Sequence, residues 1–146
     1  MSPSYSHAAI AAMLITEIHK ERKFRAFSEL TLLIDGTEYV PDIAVYKWRK
    51  VDYLHGDVVR MTELPLLIVE ILSPTQRALE LYDKAQQVYL PAGVQSVWIV
   101  QPLAHTIAVL TQDKVALHHD GVLNDLTGIS LDLQAVFEDG AVEPLR

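Results

Sequence analysis

Residues 64–72 are apolar at almost every position, and Ser73-Pro74-Thr75-Gln76 follows them at once. An apolar run of that length, closed by a turn signal, reads as a central strand buried on both faces. Ser73, Pro74 and Gln76 have the spacing of a helix start, with a hydroxyl at the cap, proline in the first position and an amide three residues on. The helix this predicts runs to about Leu90 and buries Ala78, Leu81, Tyr82, Ala85, Val88 and Tyr89, until Pro91-Ala92-Gly93 stops it. A second buried strand at 97–100 should then run parallel to the first, across that helix.

The flanking pattern extends this unit. Residues 6–22 look helical: Ile10, Leu14 and Ile18 recur at four-residue intervals, with Ala11 and Ile15 beside them, and Ser4 or Ser6 in place to cap. Residues 25–34 and 37–46 read as strands joined by Asp35-Gly36, a strong signal for a two-residue hairpin turn. Residues 47–63 are polar and irregular, with Gly56 at the turn. Residues 105–119 suggest an antiparallel pair turning near Gln112-Asp113, and 131–137 a last short helix. The order α-β-β-β-α-β, then a C-terminal hairpin, is an α/β sandwich built on a mixed sheet. With no internal repeat, low-complexity tract or linker, residues 1–146 read as one domain.

Composition narrows the function. Half of the residues are hydrophobic, which disfavours a disordered or coiled-coil chain. There is no cysteine, hence neither a disulfide framework nor a thiolate zinc site. The N-terminal apolar run, residues 8–15, is too short for a bilayer and has no Lys or Arg before it, so a cytoplasmic protein is expected. A net charge of -7 makes poor general phosphate glue, yet it suits a site that collects carboxylates for a cation.

The two-residue turn fixes the hairpin register: Ile34 pairs with Thr37, Leu32 with Tyr39, Leu30 with Pro41 and Glu29 with Asp42. Opposed residues on antiparallel strands share a face, so Glu29 and Asp42 should repel unless a cation or proton sits between them. Glu70 adds a third acid inside the apolar strand, where an unpartnered carboxylate is rarely tolerated. Three converging acids suit magnesium or manganese, which prefer oxygen ligands. The pattern alone leaves a second reading open: Asp42 bonding backbone amides at a strand end, Glu29 in solvent, and Glu70 paired with an arginine.

Tyr39-Val40-Pro41-Asp42-Ile43-Ala44-Val45, followed by Leu66-Leu67-Ile68-Val69-Glu70-Ile71-Leu72-Ser73-Pro74, resembles a restriction-endonuclease family within the PD-(D/E)xK nuclease superfamily. Lys84, Tyr89, Ala92-Gly93-Val94 and Trp98-Ile99-Val100 continue the likeness, from about His7 to Phe137. The resemblance implies a restriction-endonuclease-like fold, DNA as substrate, and Asp42 and Glu70 as metal ligands, with Ile71 lending its backbone carbonyl. The superfamily's motif lysine, two residues after the acid, is Leu72 here, and the family resembled takes its lysine from the helix, at Lys84. Its usual Tyr and Asp around the Trp strand are Val97 and Gln101. It also tends to carry an additional segment ahead of Ser2-Pro3-Ser4, which this chain is expected to lack.

Lys84 can reach Glu70. The strand-to-helix corner lies roughly 10 Å beyond Glu70 at strand rise, and Lys84 comes about 16 Å back along the helix. A lysine flanking the apolar arc can lay its stem on the sheet and carry its ammonium to a polar pocket; the competing reading is an exposed pair with Glu80. His118 and His119 point to opposite strand faces and do not make a shared metal site. His7 sits at a position that the family often fills with His, and Glu17 on the same helix is expected on a solvated face. Trp48-Arg49-Lys50 forms a basic, aromatic loop that could touch a phosphate backbone. The expected protein is thus a magnesium- or manganese-dependent DNA endonuclease using Asp42, Glu70 and Lys84, with Glu29 and Ile71 adding to the metal shell. A homodimer would serve cleavage of both strands. The alternative is a non-catalytic nuclease-fold module for DNA binding or assembly.

Overall fold

The structure is a computed structural model and describes residues 4–137. In chain order it contains α1 (Tyr5–His19), β1 (Phe24–Ser28), β2 (Leu32–Ile34), β3 (Thr37–Tyr39), β4 (Ile43–Lys47), β5 (Leu67–Ile71) and α2 (Ala78–Lys84). A π-helical turn (Ala85–Tyr89) and α3 (Leu90–Ala92) complete that helix. β6 (Ser96–Gln101), β7 (Thr106–Leu110), β8 (Val115–His118), β9 (Val122–Asn124), β10 (Ser130–Asp132) and α4 (Leu133–Phe137) follow.

β5 is buried at all five positions, as its apolar sequence requires, and it occupies the middle of a sheet ordered β1-β4-β5-β6-β7-β8. β5 and β6 run parallel, with the helical crossover between them, and the other neighbours are antiparallel. Strand alternation divides the apolar residues between two cores. Leu67, Val69, Ile71, Trp98, Val100, Ile107 and Val109 face α1 and α4, against Ile10, Leu14, Ile18, Leu133 and Val136. Ile68, Val97, Ile99, Ala108 and Leu110 face the crossover helix, against Leu81, Ala85, Tyr89 and Leu90. Leu14 is fully buried, and truncating a leucine so placed costs about 2–5 kcal/mol.

Asp35 and Gly36 both adopt positive φ, 50° and 79°, the backbone of the tight hairpin turn. The expected register holds over Ile34↔Thr37 and Leu32↔Tyr39 and resumes at Ser28↔Ile43. The hairpin is nevertheless not two long strands but two pairs, β2–β3 apart from the main sheet and β1–β4 within it. It breaks where Glu29 takes a left-handed φ of 51° and where Pro41, opposite Leu30, has no amide to give a ladder.

Three helix boundaries differ from expectation, the last helix beginning at Leu133 rather than at 131 because Ser130–Asp132 pair as β10. α1 ends at His19 rather than at 22, since Arg22 turns left-handed at φ 53°. Ser73-Pro74-Thr75-Gln76 does not cap a helix: Gln76 N–H donates to the Ser73 carbonyl at 3.1 Å, closing a β-turn with Pro74 in its second position, and α2 begins at Ala78. Ser4, by contrast, caps α1 by accepting the His7 amide at 3.2 Å. The short β9–β10 hairpin was not anticipated; Leu123 and Leu131 anchor it in the first core.

Candidate active site

Asp42 and Glu70 come together because β4 and β5 are antiparallel and Ile43 stands opposite Val69, which makes the next pair Asp42 and Glu70. The backbone amide of Asp42 donates to Glu70 Oε1 at 3.0 Å. Asp42 Oδ2 in turn accepts the Ile71 amide at 2.7 Å and lies 3.1 Å from His7 Nε2. Each acid therefore grips the other's strand, and the two strand ends are tied by side chain as well as by ladder.

Glu70 belongs to the alternation that faces the crossover helix, and it meets two groups there. Lys84 Nζ stands 3.5 Å from Glu70 Oε2, and the Tyr89 hydroxyl donates to the same oxygen at 3.4 Å. Lys84 and Tyr89 are five residues apart, which on a regular α-helix places them roughly 140° apart. The π-helical turn removes that separation: Leu90 N–H donates to the Ala85 carbonyl, five residues back, and such widened turns recur at functional sites. Pro91 lacks an amide for the carbonyl of Gln87, so the α-type ladder is already interrupted next to it.

The electrostatics follow from burial. Glu70 is only 4 % exposed, and desolvation raises its pKa above the ordinary carboxylate value; Lys84 pulls it down and Asp42 pushes it up. Tyr89 is raised too, by burial first and then by the Glu70 charge, so it stays a neutral donor. Tyr39 packs edge-on against the Tyr89 ring at 6.0 Å and fixes it. His7 Nδ1 is buried without a hydrogen-bond partner, leaving Nε2 as the nitrogen engaged with Asp42.

The third acid does not join. Glu29 N–H donates to the Asp42 carbonyl at 3.1 Å, as the register requires, but its left-handed backbone takes it out of the pleat and its side chain is exposed. Among the described residues no group of three or more His, Cys, Asp or Glu side chains gathers as a metal cage. Glu17 pairs with Lys20 at 3.1 Å, its side chain only 9% exposed rather than on a solvated face. Asp42, Glu70 and Lys84 are thus brought together with Ile71, and Glu29 is not. The sequence reading gave no site role to His7 and Tyr89. His7 had a usable signal, since 7, 10, 14 and 18 form one helical stripe and the other three positions are buried.

The Uma2 family model, described as "Putative restriction endonuclease", matches residues 1–140. The chain belongs to the Uma2 family. Among curated proteins none matches it. Among solved structures this Uma2 chain is similar to that of "a putative nuclease" from Anabaena variabilis ATCC 29413, at 23% sequence identity and a TM-score of 0.80. The similarity covers 94% of this chain and 83% of that one. At such identity it establishes the fold, a mixed α/β nuclease-like sandwich. No helix among the described residues of the Uma2 chain is long and apolar enough to cross a membrane.

Proposed function

We propose that this protein is a metal-dependent endonuclease that hydrolyses phosphodiester bonds in DNA. The observation that carries the reading is the convergence of Lys84 on Glu70 beside Asp42, since a buried acid, a second acid and an ammonium are the parts that phosphodiester hydrolysis needs. The residues fit a hard cation such as Mg2+ or Mn2+, which is often held by only one or two protein carboxylates, with waters and substrate phosphate filling the remaining positions. Asp42 and Glu70 would hold it, with the Ile71 carbonyl adjoining; when bound, the ion supplies Lewis-acid polarisation of the phosphate and a water of lowered pKa.

The chain's own groups do the rest. Lys84, a little over a third exposed, keeps its ammonium on Glu70, placed to orient the attacking water and to offset charge developing on the phosphate. Tyr89 and His7 position the acids by holding Glu70 Oε2 and Asp42 Oδ2, and removal of such partners typically costs 10- to 100-fold. A cytoplasmic location and, for cleavage of both strands, a homodimer accompany this reading.

The test is nicking of supercoiled plasmid with Mg2+ or Mn2+, wild type against Glu70→Gln. Cleavage in the wild type that EDTA and Glu70→Gln both abolish, in a folded protein, is the expected result. A folded wild type that retains DNA but never cuts it moves the protein to the non-catalytic, DNA-binding alternative.

A further inference from the structure

A groove of about 860 Å3 opens between the start of α1, the turn after β5 and the β6–β7 turn. Among the described residues that line it there is no Lys or Arg; Tyr5, Ile10, Leu72, Leu103 and Phe137 dominate. That groove gives a polyanion no cation to grip it. The chain's cations are strongly segregated. Seven of its twelve Lys and Arg residues fall in two short stretches, Lys20 to Arg25 and Lys47 to Lys50.

The fold joins these stretches at one end of the edge strand β1. Trp48 N–H donates to the Lys23 carbonyl at 2.9 Å, and Arg25 Nη1 donates to the Arg49 carbonyl at 3.1 Å. The guanidinium carbons of Arg22 and Arg25 lie 5.3 and 5.2 Å from the Trp48 ring centroid, and the His19 ring meets the same indole edge-on. His19 Nε2 accepts the Ala26 amide at 2.8 Å, and burial together with the Arg25 charge lowers the pKa of that ring. Glu17, Glu21 and Glu63 pair with Lys20, Lys23 and Arg49. Arg22, Arg25, Lys47 and Lys50 have no carboxylate partner within ion-pair distance among the described residues. Asp52, two residues beyond Lys50, spends its carboxylate on Leu54 and His55.

We propose that this Trp48-centred cluster is a second, sequence-independent contact for the sugar-phosphate backbone of duplex DNA. Trp48 holds two guanidiniums against one ring, and a phosphate offsets the positive charge gathered there. Two rulers give its distance from the acids. β4 runs from beside Asp42 to Lys47, five residues or about 17 Å at strand rise. α1 runs from His7, on Asp42, to His19, on Trp48, about 18 Å at helical rise. Phosphates along one strand of B-DNA recur every ~3.4 Å of axis, so the cluster falls about five nucleotides from the acids. The inference rests on the nuclease reading only for the choice of DNA as the polyanion.

The test is fluorescence anisotropy of a short labelled duplex of arbitrary sequence, in EDTA so that no cleavage occurs, titrated at several salt concentrations. Lys47 and Lys50 are exposed, so Lys47→Gln/Lys50→Gln leaves the fold intact, and Arg22→Gln is the second variant. The expected result is a log–log salt slope smaller by about 0.9 for each cation removed that had contacted a phosphate, with the weakest duplex binding when all three substitutions are combined. Wild-type affinity and slope in both variants overturn the proposal, as does equal capture of the wild type by phosphatidylserine vesicles. Cluster-dependent binding without Mg2+-dependent cutting leaves this inference standing and removes the nuclease reading. Cutting that is indifferent to the cluster does the reverse.

Discussion

Lys84→Ala separates a catalytic from a structural role for the displaced lysine. Nζ lies 3.5 Å from Glu70 Oε2 with 37% of the side chain exposed. Unit charges at about 4 Å attract by about 4 kcal/mol at an effective dielectric of 20. Exposure of the ammonium, salt and side-chain entropy cut that attraction to roughly 1 kcal/mol, and a buried Glu70 left without its partner escapes the larger cost by taking up a proton. Removal of the ammonium should therefore lower the melting temperature by only a few degrees. Its effect on turnover is set by what it does for the transition state, and loss of one positioned charge-stabilising group slows cleavage roughly 10²–10⁴-fold. That is about 3–5 kcal/mol at 1.36 kcal/mol per decade, well above the stability cost. Leu72 offers the internal control: it is half-buried and packs with the core on Glu70's side of β5, so Leu72→Lys/Lys84→Ala returns an ammonium by the strand route. The assay is the initial rate of plasmid nicking in Mg2+, with thermal melts run in parallel. Partial recovery in the double variant over Lys84→Ala is expected. A wild-type rate in Lys84→Ala would refute the reasoning and leave Lys84 as a surface partner of Glu70.

Three further outcomes follow from the same geometry. Millimolar Mg2+ or Mn2+ should raise the melting temperature by binding only the folded state, and Asp42→Asn should abolish that response; an undiminished response places the cation elsewhere. Burial raises the Glu70 pKa above its unfolded value, so its favourable contribution is fully present below the ordinary carboxylate range and is lost as pH rises through the raised value. Chemical denaturation of the metal-free protein should show wild-type stability falling, relative to Glu70→Gln, as pH rises above the ordinary carboxylate range, and parallel profiles count against it. Glu29→Gln, at an exposed position outside the pair of acids, should cut plasmid within about two-fold of wild type, a change too small to amount to a lost metal ligand; a loss of ten-fold or more would restore the three-acid centre.

The sequence carried the parts of this site that depend on register and burial. Asp35-Gly36 admits one hairpin register, and that register puts Asp42 at the head of β4. The apolar run around Glu70 can only be a central strand, which sets the acid inside the sheet. What it concealed were local backbone choices. Glutamate rarely adopts positive φ, so nothing in the hairpin signalled that Glu29 would twist out of the pleat. The π-helical turn has no propensity signature of its own: read at 3.6 residues per turn, Lys84 and Tyr89 diverge, and only the five-residue hydrogen bond at Leu90 aligns them on Glu70. Ser73-Pro74-Thr75-Gln76 has the residue types of both a helix cap and a β-turn, and the turn's own hydrogen bond decides between them. The Trp48 loop carries only three basic or aromatic residues in sequence, and its partners Arg22, Arg25 and His19 come from the α1–β1 turn and its flanks, more than twenty residues earlier.

The most direct test of the account is the position of a bound cation, because it requires no knowledge of the preferred DNA sequence. Crystals soaked in manganese and measured for anomalous scattering should show a peak in contact with the carboxylates of Asp42 and Glu70 and the Ile71 carbonyl, absent from Glu70→Gln crystals treated alike. Manganese bound only at other side chains, such as His118 or His119, or no peak at all in wild-type crystals at saturating metal, would contradict a metal-dependent centre built on these two acids.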